Sequence, residues 1–183
     1  MESVHIALFL VTYVSILLFL ILSVVYISTL FFSAYYKVPF VGSKRHQIRE
    51  ILLHIDPQPG SIFYDLGSGD GRVVLEAADY FKLNATGFEI NPVLVFLSRV
   101  RAHHARSEAL FVRADITSVE LSKAEIIYVF LLPFMLAALA PTIKSQCSKG
   151  TIIISHGFKI HALSSKLYKT RDAQPFSTYY YRL

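Results

Sequence analysis

Tyr64-Asp65-Leu66-Gly67-Ser68-Gly69-Asp70-Gly71-Arg72 decides how this chain is read. A short apolar run, Ile62 to Leu66, enters it, and a helical pattern from Arg72 to Lys82 leaves it. A doubly wound sheet places its ligand at such a strand-to-helix turn, at the carboxyl ends of the strands where strand order reverses. Glycines there let the backbone turn tightly and approach a ligand with no Cβ in the way. Two familiar ligands fail the spacing. A P-loop needs Lys followed by Ser or Thr after its last glycine, and Gly71 is followed by Arg72-Val73. A dinucleotide fingerprint has two residues between its second and third glycines, and Gly69 and Gly71 are separated by one.

Charge points the same way. Asp65 stands two residues before the first glycine, where it would repel a pyrophosphate but attract an ammonium. S-adenosylmethionine carries an amino-acid moiety and no phosphate, so it suits the turn. Glu89, at the end of the next strand, is placed to accept hydrogen bonds from both ribose hydroxyls. Asp115, just past the third strand, is placed to meet an adenine amino group. The competing reading of Glu89 and Asp115 is as solvated loop acids.

Outward from the turn, strands and helices alternate. Arg45 to Ile55 is an amphipathic helix, closed by Asp56-Pro57-Gln58-Pro59-Gly60. Ala85 to Ile90 is a strand, and Pro92 opens a helix to about Arg106. Ala109 to Arg113 and Glu125 to Leu132 are strands, Pro133 to Ser148 is a helix, and Thr151 to Ser155 is a fifth strand. Leu163 to Thr170 and Phe176 to Leu183 form an antiparallel pair across residues 171–175. Such alternation gives an open, mostly parallel α/β sheet.

The 183 residues are 54% hydrophobic and only 17% charged. The imbalance sits at the start, where Ser3 to Tyr36 contains no Asp, Glu, Lys or Arg. Residues 6–32 exceed the roughly 20 apolar residues that cross a bilayer core as helix. The run is too long for a signal peptide, and Phe31-Phe32-Ser33-Ala34 offers no small-x-small cleavage site. A retained anchor over 1–36 is expected, then a connector and amphipathic helix over 37–60 and a ligand-binding domain over 61–183. Only Glu2 precedes the span, whereas Lys37, Lys44, Arg45 and Arg49 follow it, which puts residues 37–183 on the cytoplasmic side. A polytopic transporter, an extended disordered protein and a large multidomain enzyme are excluded. Cys147 is the only cysteine, which removes any intramolecular disulfide and agrees with a reducing compartment.

At these residues the chain resembles a known family. Asp65-Leu66-Gly67-Ser68-Gly69-Asp70-Gly71 is similar to the first motif of class I S-adenosylmethionine-dependent methyltransferases. The resemblance narrows to the membrane-anchored lysine methyltransferases of the adenine nucleotide translocase and of the ATP synthase c-ring protein, and to short bacterial members. It is carried by Val38-Pro39-Phe40-Val41, Asp70-Gly71-Arg72-Val73-Val74, Gly87-Phe88-Glu89-Ile90-Asn91-Pro92, Leu131-Leu132-Pro133 and Ser155-His156-Gly157-Phe158. Gly42-Ser43 departs from the Pro-Thr common there. The resemblance implies a Rossmann-like seven-stranded sheet whose last strand is antiparallel. It implies cofactor contacts from Asp65, Gly67, Ser68, Gly69, Asp70, Gly71, Glu89, Ile90, Asn91, Asp115, Ile116 and Phe40, and it leaves His156 and Pro133 as catalytic candidates.

Methyl transfer is an in-line displacement, so alignment and exclusion of water matter most. A lysine acceptor must also lose a proton, which calls for a base or a depressed amine pKa. His156 could serve as that base, against a competing role as a hydrogen-bonded loop histidine. Asp70 could touch the methionine amino group, and Phe40 could close over the cofactor or simply pack. Leu131-Leu132-Pro133 replaces the Asp/Asn-Pro-Pro-aromatic motif of nucleic-acid amino-methyltransferases, which argues against adenine or cytosine amino methylation. His103 and His104 are adjacent on a helix and form no metal set. Residues 37–183 carry all 18 Lys+Arg and, with Glu2 set aside, 12 of the 13 Asp+Glu; Arg99, Arg101, His103, His104 and Arg106 cluster on one helix and Lys37 to Arg49 follow the span, and anionic lipid headgroups account for both. The expected protein is a membrane-anchored methyltransferase of a membrane-protein lysine, in a bacterial inner membrane or, alternatively, a mitochondrial one. The rivals are methylation of a lipid, small molecule or RNA, and a non-catalytic cofactor-binding scaffold.

Overall fold

Short apolar strands and amphipathic helices cannot bury themselves singly, and they layer into one sheet with helices on both faces. The computed structural model describes residues 2–35 and 45–183. The chain divides into two compact units, Met1–Pro39 and Phe40–Leu183. The first is a single helix, α1 (Glu2–Tyr35). Its window His5–Val24 has a mean hydropathy of 2.7 and is long and apolar enough to cross a membrane. The hydroxyls of Thr12, Ser15 and Ser23 each donate to the carbonyl four residues back, at 2.8 Å, so the helix satisfies these polar side chains itself.

The second unit runs α2 (Arg45–Leu53), β1 (Ile62–Leu66), α3 (Arg72–Asp79), β2 (Asn84–Glu89), α4 (Pro92–Ala105), β3 (Leu110–Arg113), β4 (Ile126–Val129), α5 (Pro133–Gln146), β5 (Ile152–His156), β6 (Leu167–Arg171) and β7 (Thr178–Arg182). Seven strands form one sheet in the order β3-β2-β1-β4-β5-β7-β6. The first five are parallel, and β7 enters antiparallel to both β5 and β6. This is the Rossmann-like class I methyltransferase sheet. On one face Phe63, Phe111, Tyr128, Ile154 and Tyr180 pack under α2, α3 and α4. On the other, Leu66, Ile127, Val129, Ile153 and Tyr181 pack against α5. Residues of β4 are buried on both faces, which explains its unbroken apolar run Ile126-Ile127-Tyr128-Val129.

Element boundaries differ from the sequence reading for local reasons. Helix α3 ends at Asp79, short of Lys82, because Lys82 adopts a positive φ of 57° and the Leu83 N–H turns back to the Ala77 carbonyl. Strand β4 stops at Val129, because Leu132 caps α5 and Leu131 turns in towards Gly67. The expected strand from Leu163 begins only at Leu167. Residues His161–Lys166 form a short 3-10 helix that buries Leu163 beside α5.

Candidate functional site

The strand order reverses between β1 and β4, so a crevice opens at their carboxyl ends. The loop from Gly67 to Gly71 closes one side of it. Gly67, Gly69 and Gly71 all have positive φ, the region side chains resist. Gly71 is also sterically required: a Cβ there would lie 2.7 Å from the Phe111 ring and 2.9 Å from Ser98 Cβ. Gly87 of β2 is closed in the same way by Ser68 and Val74. The loop therefore sits flush on β2 and under α4.

Three acids arrive at consecutive strand ends, as the spacing predicts, but their environments differ. Asp65 is 2% exposed and accepts no hydrogen bond among the described residues. Burial, followed by the charges of Glu89 and Asp70, pushes its pKa well above the ordinary carboxylate value. Glu89 is buried too, but its carboxylate is engaged: Oε2 accepts from Gly69 N at 3.0 Å and Oε1 from Asn91 N at 2.9 Å. It thus ties the glycine loop to the start of α4. Asp115 caps the 3-10 turn Ile116–Ser118, its Oδ1 accepting from Thr117 N at 2.9 Å and from Thr117 Oγ1 at 2.8 Å. Ile116 behind it is buried.

Asp70 is differently engaged. Its carboxylate pairs with Arg72 at 2.8 Å and with Arg101, which also donates to the Asp70 carbonyl at 2.7 Å. The charge of Asp70 is therefore balanced by two guanidinium groups, whereas Asp65 has no cation paired to it among the described residues. Ser68 is buried, and its Oγ has no hydrogen-bond partner among the described residues. Ile90 is half-buried after Glu89, and Asn91 caps α4 by accepting from Val93 N at 2.9 Å. Phe40 lies outside the described residues, as do Val38, Pro39 and Val41.

The catalytic candidates lie on the β4–β5 side. Pro133 is the first residue of α5. His156 ends β5, is buried, and shares a 2.9 Å hydrogen bond between Nδ1 and Thr178 Oγ1. Burial, and then the charge of Arg171, lower its pKa to about 4. It is neutral above that pH and too weak a base to hold a lysine proton at equilibrium.

Several contributors escape a reading of the sequence. Ser98 donates to the Gly69 carbonyl at 3.1 Å from the buried face of α4. A small polar residue on an otherwise apolar helix face is the only local signal for it. Arg101 reads in the sequence as one of a basic cluster, yet it holds Asp70. Arg99 donates to the Phe111 carbonyl at 3.1 and 2.8 Å, so it braces β3. Thr178 and Phe176 come from the tail and reach His156 only through the antiparallel return of β7.

A buried acid with no cation paired to it among the described residues, a glycine cradle and a second acid at the end of β2 fit a ligand with an ammonium and a diol. A family model described as the ANTKMT methyltransferase domain matches residues 65–166, more than half of the chain. This chain belongs to that family. It is 30% identical to a protein-lysine N-methyltransferase of Saccharolobus islandicus over 78% of its own length and 91% of the relative. It is 35% identical to the mouse adenine nucleotide translocase lysine N-methyltransferase over 68% of its length, but spans only 55% of that protein. Among solved structures, a Salinibacter ruber RNA methyltransferase bound to S-adenosyl-L-homocysteine superposes with a TM-score of 0.73 at 30% identity, covering 78% of this chain and 93% of the other.

Proposed function

We propose that the protein is a membrane-anchored, S-adenosylmethionine-dependent protein-lysine methyltransferase acting on a membrane protein. The observation that carries this is Asp65: a buried carboxylate beside a glycine loop, with no cation paired to it among the described residues, suits an ammonium group. Asp65 would accept the methionine ammonium, the loop from Gly67 to Gly71 would let that moiety approach the backbone, and Ser68 Oγ offers an unused hydroxyl beside it. Glu89 keeps spare lone pairs on both oxygens for the ribose hydroxyls after its two backbone bonds. Asp115 and Ile116 would flank the adenine, as would Ile90 and Asn91. The bound donor supplies a methyl group on a sulfonium; transfer forms a C–N bond, breaks the C–S bond, and returns its electron pair to sulfur.

Lysine as acceptor is supported by the names of the relatives and by the absence of an Asp/Asn-Pro-Pro-aromatic motif after β4, where Phe130-Leu131-Leu132-Pro133 stands. Membrane attachment is supported by the apolar α1 and by its bonded hydroxyls. Anionic headgroups would meet His103, His104 and Arg106 at the end of α4, whose neighbours Phe96 and Val100 are exposed. The positive flank after the span favours a cytoplasmic domain in a bacterial inner membrane, with a mitochondrial membrane as the alternative. RNA is the second reading, because of the Salinibacter neighbour. Incubating membranes from cells lacking the gene with the full chain and radiolabelled S-adenosylmethionine separates the two. A protein band labelled on lysine is expected; label only in RNA or lipid would overturn the lysine reading.

A further inference from the structure

Three rings stand together at the carboxyl ends of β4 and β5, and the donor site does not use them. Phe130 follows β4, His156 ends β5, and Phe176 leads into β7. Their centroids are 4.6 Å apart for Phe130 and His156, 5.1 Å for Phe130 and Phe176, and 5.8 Å for His156 and Phe176, all edge to face. His156 is buried, whereas Phe130 and Phe176 are half-buried. Gly157 admits this arrangement, since a Cβ there would lie 2.8 Å from the Phe130 ring.

Position relative to Asp65 gives the rings a task. Asp65 is opposite Tyr128 in the β1–β4 ladder, and Tyr128 is opposite Ile154 in the β4–β5 ladder. Phe130 and His156 lie two residues further on, so their side chains emerge on the same face as that of Asp65. Two strand spacings put β5 about 10 Å from β1. A donor anchored by its ammonium at Asp65 spans about half of that to its sulfonium, and a reacting amine stands about 3 Å from the methyl carbon. With the donor extended from Asp65 towards β4, the acceptor nitrogen would fall over the rings. Aromatic faces attract alkylammonium groups and offer no competing hydrogen-bond acceptor. Arg171, the cation nearest His156 in its electrostatic effect, is paired with Glu50.

We propose that Phe130, His156 and Phe176 line the slot that receives the acceptor's alkylammonium side chain, with Thr178 positioning the His156 ring. This rests on the donor site assigned above, and the test reads the two separately. Saturation-transfer NMR on the full chain in detergent, with S-adenosylhomocysteine present, uses n-butylammonium chloride as the probe. Transfer to its methylene protons is expected in the wild type and should fall at least about fivefold in Phe130→Leu and Phe176→Leu. In the same variants calorimetric binding of S-adenosylmethionine should be unchanged. The KM for acceptor membranes should rise about five- to thirtyfold with kcat within about twofold. Phe130→Tyr, which keeps the ring, should retain wild-type KM. If both leucine variants keep the NMR signal and the KM, and lose only thermal stability, the rings are packing and the slot assignment falls. Failure of the wild type to bind S-adenosylmethionine would overturn the donor site instead, while the n-butylammonium signal would still report on the slot.

Discussion

Asp65 is a buried acid with no cation paired to it among the described residues. Its pKa is raised by burial and then by the charges of Glu89 and Asp70, so in the ligand-free fold the carboxyl is harder to ionise than an ordinary one. The stability it contributes is present below the ordinary carboxylate pKa and is lost as pH rises through its raised value. At neutral pH the carboxylate therefore burdens the fold. Asp65→Asn should raise the melting temperature of the ligand-free protein at pH 7.5 by roughly 2–5 °C, read by scanning calorimetry. The same substitution removes the ammonium partner and should weaken S-adenosylmethionine binding about 10- to 100-fold. Wild-type affinity should climb with pH up to the raised pKa, because binding must expel the proton, and the Asn variant should lose that slope. A variant that loses stability while keeping affinity would show that Asp65 braces the loop. The sequence could place Asp65, Glu89 and Asp115 at strand ends, because spacing along alternating strands fixes that. It could not say which acid is paired with cations, since the partners of Asp70, Arg72 and Arg101, come from two different helices.

At the scale of elements, the glycine loop, β2 and α4 behave as one block. Ser98 reaches the Gly69 carbonyl, Glu89 holds the Gly69 N–H, and Gly71 makes room for Phe111 and Ser98. Gly71 and Gly150 have similar backbone strain, with φ of 82° and 97°, but a Cβ on Gly150 meets nothing within 4 Å. Gly150→Ala should therefore cost only the strain, about 1 kcal/mol. Gly71→Ala adds overpacking and should cost about 2–4 kcal/mol in urea unfolding, with binding of the donor lost as well. Equal costs would mean that α4 yields easily and that the block is loose. The strand–helix alternation was legible because period and turn residues are local signals, and the parallel part of the sheet followed from it. The return of the tail was legible as a hairpin, but its pairing of β7 with β5 was not, since that contact spans more than twenty residues. The Phe130–His156–Phe176 cluster is built on that same pairing, and no spacing in the sequence announces it.

For the whole molecule, the question is what α1 contributes to a domain that carries its own donor site. Every described group assigned to that site belongs to the second unit, on its strand ends and the loops that follow them, so donor affinity should not depend on the helix. Access to the acceptor is another matter. A membrane tether would confine the enzyme to the plane of a membrane-protein substrate and convert a bimolecular search into a local one, at effective concentrations that reach millimolar for short linkers. Residues 36–44 connect α1 to α2 in the sequence. A protease site introduced within that connector gives a clean comparison, because one preparation can be assayed before and after cutting. Cleavage should leave the calorimetric affinity for S-adenosylmethionine unchanged, which also shows that the released domain remains folded. Methylation of acceptor membranes at submicromolar enzyme should fall by at least about tenfold, while the rate on a detergent-solubilised acceptor should fall less than about twofold. Equal rates on membranes before and after cleavage would mean that the domain finds its substrate by its own surface, and the exposed Phe96 and Val100 of α4 would then be the place to look for that contact.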